Sequence, residues 1–142
     1  YAEKQMNGYR WYDKHGVAPA FAFGHGLSYG GNATYSGLRV EGRRVSFQVE
    51  VPSGGCDTPQ VYVGYPGGGE DVPTKVLRGF EKICGGGARG RTRTATVALV
   101  LSDREVSEWD VGAKSWTVVK GTFKVFVGSS SRDIRLEGTM TV

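Results

Sequence analysis

The chain has 142 residues, enough for one domain with an ordinary core. Hydrophobic residues are 39% and charged residues 23%, so the sequence packs rather than staying disordered, and its 23 glycines favour turns over long helices. A net charge of +4 is too weak to argue for nucleic acid, and no run reaches the about 20 apolar residues needed to cross a bilayer.

In chain order, the first notable stretch is AFAFGHGLSYGG, residues 20–31, which is aromatic, punctuated by glycine and free of charge. A loose terminal tail should be polar, so this segment is expected to lie against something. RRVSFQVEV (43–51) alternates, with Val45, Phe47, Val49 and Val51 on one face and Ser46, Gln48 and Glu50 on the other. That is a half-buried strand. PQVYVGYP (59–66) predicts a second strand with Val61 and Val63 sharing a face. KVLRGFEKI (75–83) predicts a third, with a bulge at Gly79. RTRTATVALVL (91–101) is the longest, turning Ala95, Val97, Leu99 and Leu101 inward and leaving Arg91 and Arg93 to overhang the core.

Ser102-Asp103-Arg104-Glu105 has capping-box spacing and predicts one short helical turn, followed by Trp109 as a plug at the end of the fold. Trp116–Val119, TFKVFVG (122–128) and DIRLEGTMTV (133–142) read as strands, with a turn at Lys120-Gly121. About seven short strands with turns between them, and no long amphipathic helix, describe an all-β chain. The expected fold is an antiparallel β-sandwich of the fibronectin type III or immunoglobulin-like kind, preceded by an extended linker. The expected division is a linker over residues 1–35 and a sandwich over 36–142.

Cys56 and Cys84 form no C-x-x-C pair, and His15 and His25 stand apart, so neither a metal site nor a cofactor is expected. If consecutive strands run up and down, the two cysteines fall at one pole, where a disulfide could close; two free thiols are the alternative. The basic cluster Arg89, Arg91 and Arg93 follows Gly85-Gly86-Gly87 without aromatic interleaving or a phosphate-loop ending, and reads as a loop running into a strand. Asn32-Ala33-Thr34 is an N-glycosylation sequon, meaningful at Asn32 if the parent protein follows the secretory route. Asp13 and Lys14 read as a solvated turn, with pairing to another domain as the alternative, and His25 as a locally bonded histidine, with a sugar contact as the alternative. Trp11, Tyr12, Tyr62, Tyr65 and Trp116 could form a sugar-stacking platform, though core packing explains most of them.

Read together, GYRWYDKHGVAPAFAFGHGLSY (8–29), PQVYVGYP, KVLRGFEKI, LSDREVSEWD (101–110) and GTFKVFVGSSSRDIRLEGTMTV (121–142) resemble, in order, the linker and C-terminal domain of family 3 glycoside hydrolases, the beta-glucosidase and beta-xylosidase family. The chain departs from that pattern at Gly30-Gly31-Asn32, in the loop at 85–90 and in both cysteines. The resemblance implies a piece of a longer enzyme whose catalytic carboxylates lie in upstream domains, so no catalytic residue is carried over. It implies interdomain packing by Trp11, Tyr12, Phe21, Phe23, His25, Leu27 and Tyr29, with Gly24 and Gly26 permitting close approach or positive φ. The implied role is a non-catalytic accessory domain that stabilises the catalytic domains of the same polypeptide and shapes substrate access. The alternative is a carbohydrate- or polyanion-binding module with polysaccharide as partner. No nucleic-acid or membrane partner is expected.

Overall fold

The computed structural model describes residues 2–86 and 92–142. Among the described residues, a short helix α1 (Tyr9–Lys14) precedes eleven strands. They are β1 (Thr34–Glu41), β2 (Arg44–Val51), β3 (Cys56–Asp57), β4 (Gln60–Gly64), β5 (Val76–Phe80), β6 (Ile83–Cys84), β7 (Arg93–Val100), β8 (Ser107–Asp110), β9 (Ser115–Val118), β10 (Thr122–Gly128) and β11 (Ile134–Thr141). One sheet has the order β1-β2-β7 and the other β11-β10-β4-β5; β3-β6 and β8-β9 are two-stranded. Every pairing is antiparallel.

The two larger sheets form the expected sandwich. Alternation along β2 drives Val45, Phe47, Val49 and Val51 into the core, all at most 1% exposed. Val61 and Val63 from β4 meet them from the facing sheet, with Phe123, Val125 and Val127 from β10 and Val97 from β7. Gly79 lies where the layers approach closely: a Cβ there would come within 2.7 Å of Leu99 Cδ1. The β4–β5 register slips between Val61↔Gly79 and Tyr62↔Leu77, so the residue displaced from the ladder is Arg78, next to the expected glycine.

One expectation here needs correction. The helical turn forms at Arg104–Val106, where the Glu105 carboxylate accepts from the Ser102 backbone N–H at 2.7 Å. Trp109, however, does not plug the sandwich. It lies on β8 and is 48% exposed, because Val106 fills the buried position instead. Arg93 opens β7 and donates to the Cys84 carbonyl at 3.1 Å, whereas Arg89 and Arg91 lie outside the described residues.

Cys56 faces Cys84 across β3–β6, and the two form a disulfide closing a span of 28 residues. A bridge over that span stabilises by about 3–4 kcal/mol through the unfolded chain. The double variant Cys56→Ser/Cys84→Ser is therefore expected to lose about that much in urea unfolding. An unchanged midpoint would contradict it.

Candidate docking interface

The sequence before β1 forms a strap lying across the outer face of the β4–β5 hairpin. Its helix α1 is too short to be stable alone. Gly8 begins it at φ 54° without a side-chain cap, so tertiary contacts must hold it. Spacing of four residues sorts its side chains by face. Tyr9 and Asp13 point at the sandwich, while Trp11 and His15 stack on each other outside, with centroids 4.4 Å apart.

Tyr9 is the apolar anchor. Its ring meets Tyr62 edge-on with centroids 6.0 Å apart and is stacked by Phe23 at 4.3 Å. Its hydroxyl accepts from the Leu77 backbone N–H at 2.9 Å. Asp13 is the polar anchor. Its carboxylate is 5% exposed and accepts from Lys75 Nζ and Arg132 Nε, each at 2.7 Å. Arg132 also donates to the Tyr12 and Val17 carbonyls at 3.1 and 2.8 Å, and Lys14 Nζ to the Val72 carbonyl at 3.1 Å. The solvated turn expected at Asp13 and Lys14 is thus replaced by a clamp, because partners more than fifty residues away converge on it.

Further along, Gln60 Nε2 donates to the Gly24 carbonyl at 3.0 Å and the Ser129 carbonyl at 2.8 Å. The Ser131 N–H donates to the Phe23 carbonyl at 2.9 Å. Gly24 has φ 77°, and a Cβ there would lie 2.1 Å from Gln60 Oε1, so only glycine fits. Gly26 has neither feature, which corrects the expectation that both glycines serve close approach. Gly30 then passes against the Gly55 backbone, beside the disulfide, and Ser28 Oγ accepts from the Cys56 N–H at 3.3 Å.

The strap leaves apolar side chains uncovered. Phe21 is 78% exposed, Leu27 96% and Tyr29 fully exposed; Phe23, Trp11 and Tyr12 are partly so. His25 is exposed beside Phe21, with ring centroids 5.8 Å apart. Asn32 is exposed just ahead of β1. The five aromatic residues considered as one platform are dispersed: Tyr62 is fully buried under the strap, and Tyr65 packs on Phe123. Trp116 pairs with Trp109 on the β8–β9 hairpin, whereas Trp11 and Tyr12 belong to the strap. Tyr9 was the anchor that sequence reasoning overlooked; its four-residue spacing from Asp13 was the available signal.

A family model for the fibronectin type III-like domain matches residues 57–131. The chain belongs to the fibronectin type III-like domain family. It is 35% identical, over 94% of its length, to the probable beta-glucosidase D of Aspergillus niger, and 36% identical over its whole length to the probable beta-glucosidase L of Emericella nidulans. It spans only 20% and 22% of those relatives. Among solved structures, the beta-D-glucoside glucohydrolase of Trichoderma reesei matches 99% of the chain with TM-score 0.84 and 29% identity, the match covering 23% of that protein. DesR, a beta-glucosidase from Streptomyces venezuelae solved with D-glucose, matches all of it with TM-score 0.83 and 34% identity, over 19% of its own length. The matches include the strap as well as the sandwich.

Removing one partner of a buried ion pair strands the other, at a cost of about 3 kcal/mol. Asp13→Asn is therefore expected to open the strap while the sandwich persists, seen as faster amide exchange at Leu77 and Ser131. Unchanged exchange at both would contradict the clamp. A second prediction concerns acid. Hydrogen bonds from Arg135 and the Ser129 hydroxyl hold the Asp133 carboxyl below its ordinary range, in the loop that receives the strap. A depressed folded-state value contributes stability above the ordinary carboxylate range and loses it as pH falls through the depressed value. Asp133→Asn should flatten the loss of thermal stability below about pH 4; an unaltered pH profile would count against it.

Proposed function

We propose that this chain is an accessory domain of a family 3 glycosidase acting on beta-glucosides, with the segment before β1 as the interdomain strap and the strands from β1 onward as the sandwich. It docks on the catalytic domains of the same polypeptide and stabilises them. Relatives named as probable beta-glucosidases, and solved structures named as a beta-D-glucoside glucohydrolase and a beta-glucosidase, each several times longer than this chain, support the reading.

The observation that carries it is the exposure of Phe21, Leu27 and Tyr29 on a segment otherwise pinned to the sandwich. An isolated fold gains nothing from a fixed apolar ridge facing water; a partner surface does. The proposed contact set is Phe21, Leu27 and Tyr29 at its centre, with Phe23, His25, Trp11 and Tyr12 around them. No catalytic role is proposed for the chain's carboxylates. Several have structural partners: Asp57 accepts from the Tyr35 hydroxyl at 2.6 Å, Asp103 pairs with Arg43, and Asp110 accepts from the Ala113 N–H at 2.9 Å.

The test is Leu27→Asp/Tyr29→Asp, made both in the whole enzyme and in this chain alone. In the chain alone the substitutions meet water and should shift stability by less than about 0.5 kcal/mol. In the whole enzyme they should cost about 2 kcal/mol or more and shorten the half-life of glucosidase activity on heating. Equal tolerance in both settings would sink the docking reading.

A further inference from the structure

A second surface lies away from Leu27 and Tyr29, where the β8–β9 hairpin stands over β5 and the start of the strap. It is an open groove of about 530 Å³, within the range of ligand sites. Trp109 and Trp116 form one wall, each nearly half exposed, with ring centroids 5.6 Å apart and planes at 63°. Arg104 sits over the Trp116 ring, its Cζ 3.2 Å from the ring centroid. Arg78, displaced by the β5 bulge, lines the groove beside Tyr65. Its Nη2 donates to the Tyr65 hydroxyl at 2.5 Å, but its Nε is buried with no hydrogen-bond partner among the described residues. A buried donor without a partner is costly and uncommon.

The charge is one-sided. Lys4, Arg10, Arg78 and Arg104 line the groove against the single carboxylate of Glu108 among its described lining residues. Lys4 is engaged by Asp71, leaving three guanidiniums against the one carboxylate of Glu108. Glu105 lies nearby, but its carboxylate is committed to Ser102. The Tyr65 hydroxyl is occupied too, donating to the Glu105 carbonyl at 2.7 Å.

We propose that this groove binds an acidic oligosaccharide, a chain of sugar rings bearing uronate carboxylates. Arg78 and Arg104 receive the carboxylates as planar forks, which match that geometry better than an ammonium does. Trp109 and Trp116 receive the apolar C–H faces of the sugar rings, amphipathic aromatics being suited to a surface that is greasy on one side and wet on the other. The preference for a sugar over an acidic peptide rests on the reading of the chain as part of a saccharide-processing enzyme. The site itself is independent of Leu27 and Tyr29.

Tryptophan fluorescence of this chain, titrated with tetragalacturonate, tests the proposal. A saturable change is expected. It should weaken at least about tenfold in Arg78→Gln and in Trp116→Ala, each checked for an unchanged fold by circular dichroism. It should weaken further at high salt, and neutral cellotetraose should bind at least about tenfold less tightly. No saturable change up to millimolar ligand, or affinity untouched by both substitutions, would overturn the proposal. So would equal affinity for cellotetraose. An oligo-aspartate peptide binding as tightly as tetragalacturonate would overturn it in favour of an acidic protein partner. Because the isolated chain is used, failure here leaves the docking of the strap on the catalytic domains unaffected.

Discussion

Burial of β4 on both faces is the constraint from which the rest of the structure follows. All five residues, Gln60 to Gly64, are buried. In a two-layer sandwich the facing sheet covers only one side, and the other normally meets water. Val61 and Val63 use the inner side. Tyr62 and Gln60 point outward and are buried only because the strap lies over them. A phenol and an amide under a strap need partners, and each has them: Tyr62 donates to Gln60, and Gln60 donates to Gly24 and Ser129. The segment before β1 is therefore a third, partial layer of the fold.

That layer gives the proposed docking face its rigidity. Tyr9 and Asp13 grip β5 and the loop between β10 and β11, while Gly30 is wedged against Gly55 next to the disulfide. Phe21, Leu27 and Tyr29 project from a backbone fixed on both sides of them. Apolar side chains on such a support lose little further freedom when a partner covers them, and a pre-organised surface binds with less entropic opposition. One sheet face thus accounts for both the order of the strap and the placement of its exposed side chains.

Much of the sandwich was legible in the sequence, because period-two alternation in β2, β7 and β10 is a local signal. β1 was missed for a physical reason. Its register shifts between Ser36 and Arg39 around Gly37, which has φ 64°, so its side chains do not alternate cleanly. α1 was missed because six residues starting at an uncapped glycine carry no propensity signal. The Asp13 clamp was illegible for a different reason: its partners, Lys75 and Arg132, come from opposite ends of the other sheet's connections. Trp109 misled because the short capped turn at Ser102 was expected to carry the residues after it inward, as a plug. The chain makes one 3₁₀ turn and then a hairpin, which carries the tryptophan out to the surface.

The account depends most on the strap being seated on β4 in the chain by itself. Nuclear Overhauser contacts between the Tyr9 ring and the rings of Phe23 and Tyr62, with backbone order parameters measured over residues 9–24, test this directly. The structure predicts those contacts, with order parameters near the rigid value of about 0.85. Absent contacts and values below about 0.6, alongside an intact sandwich, would contradict it.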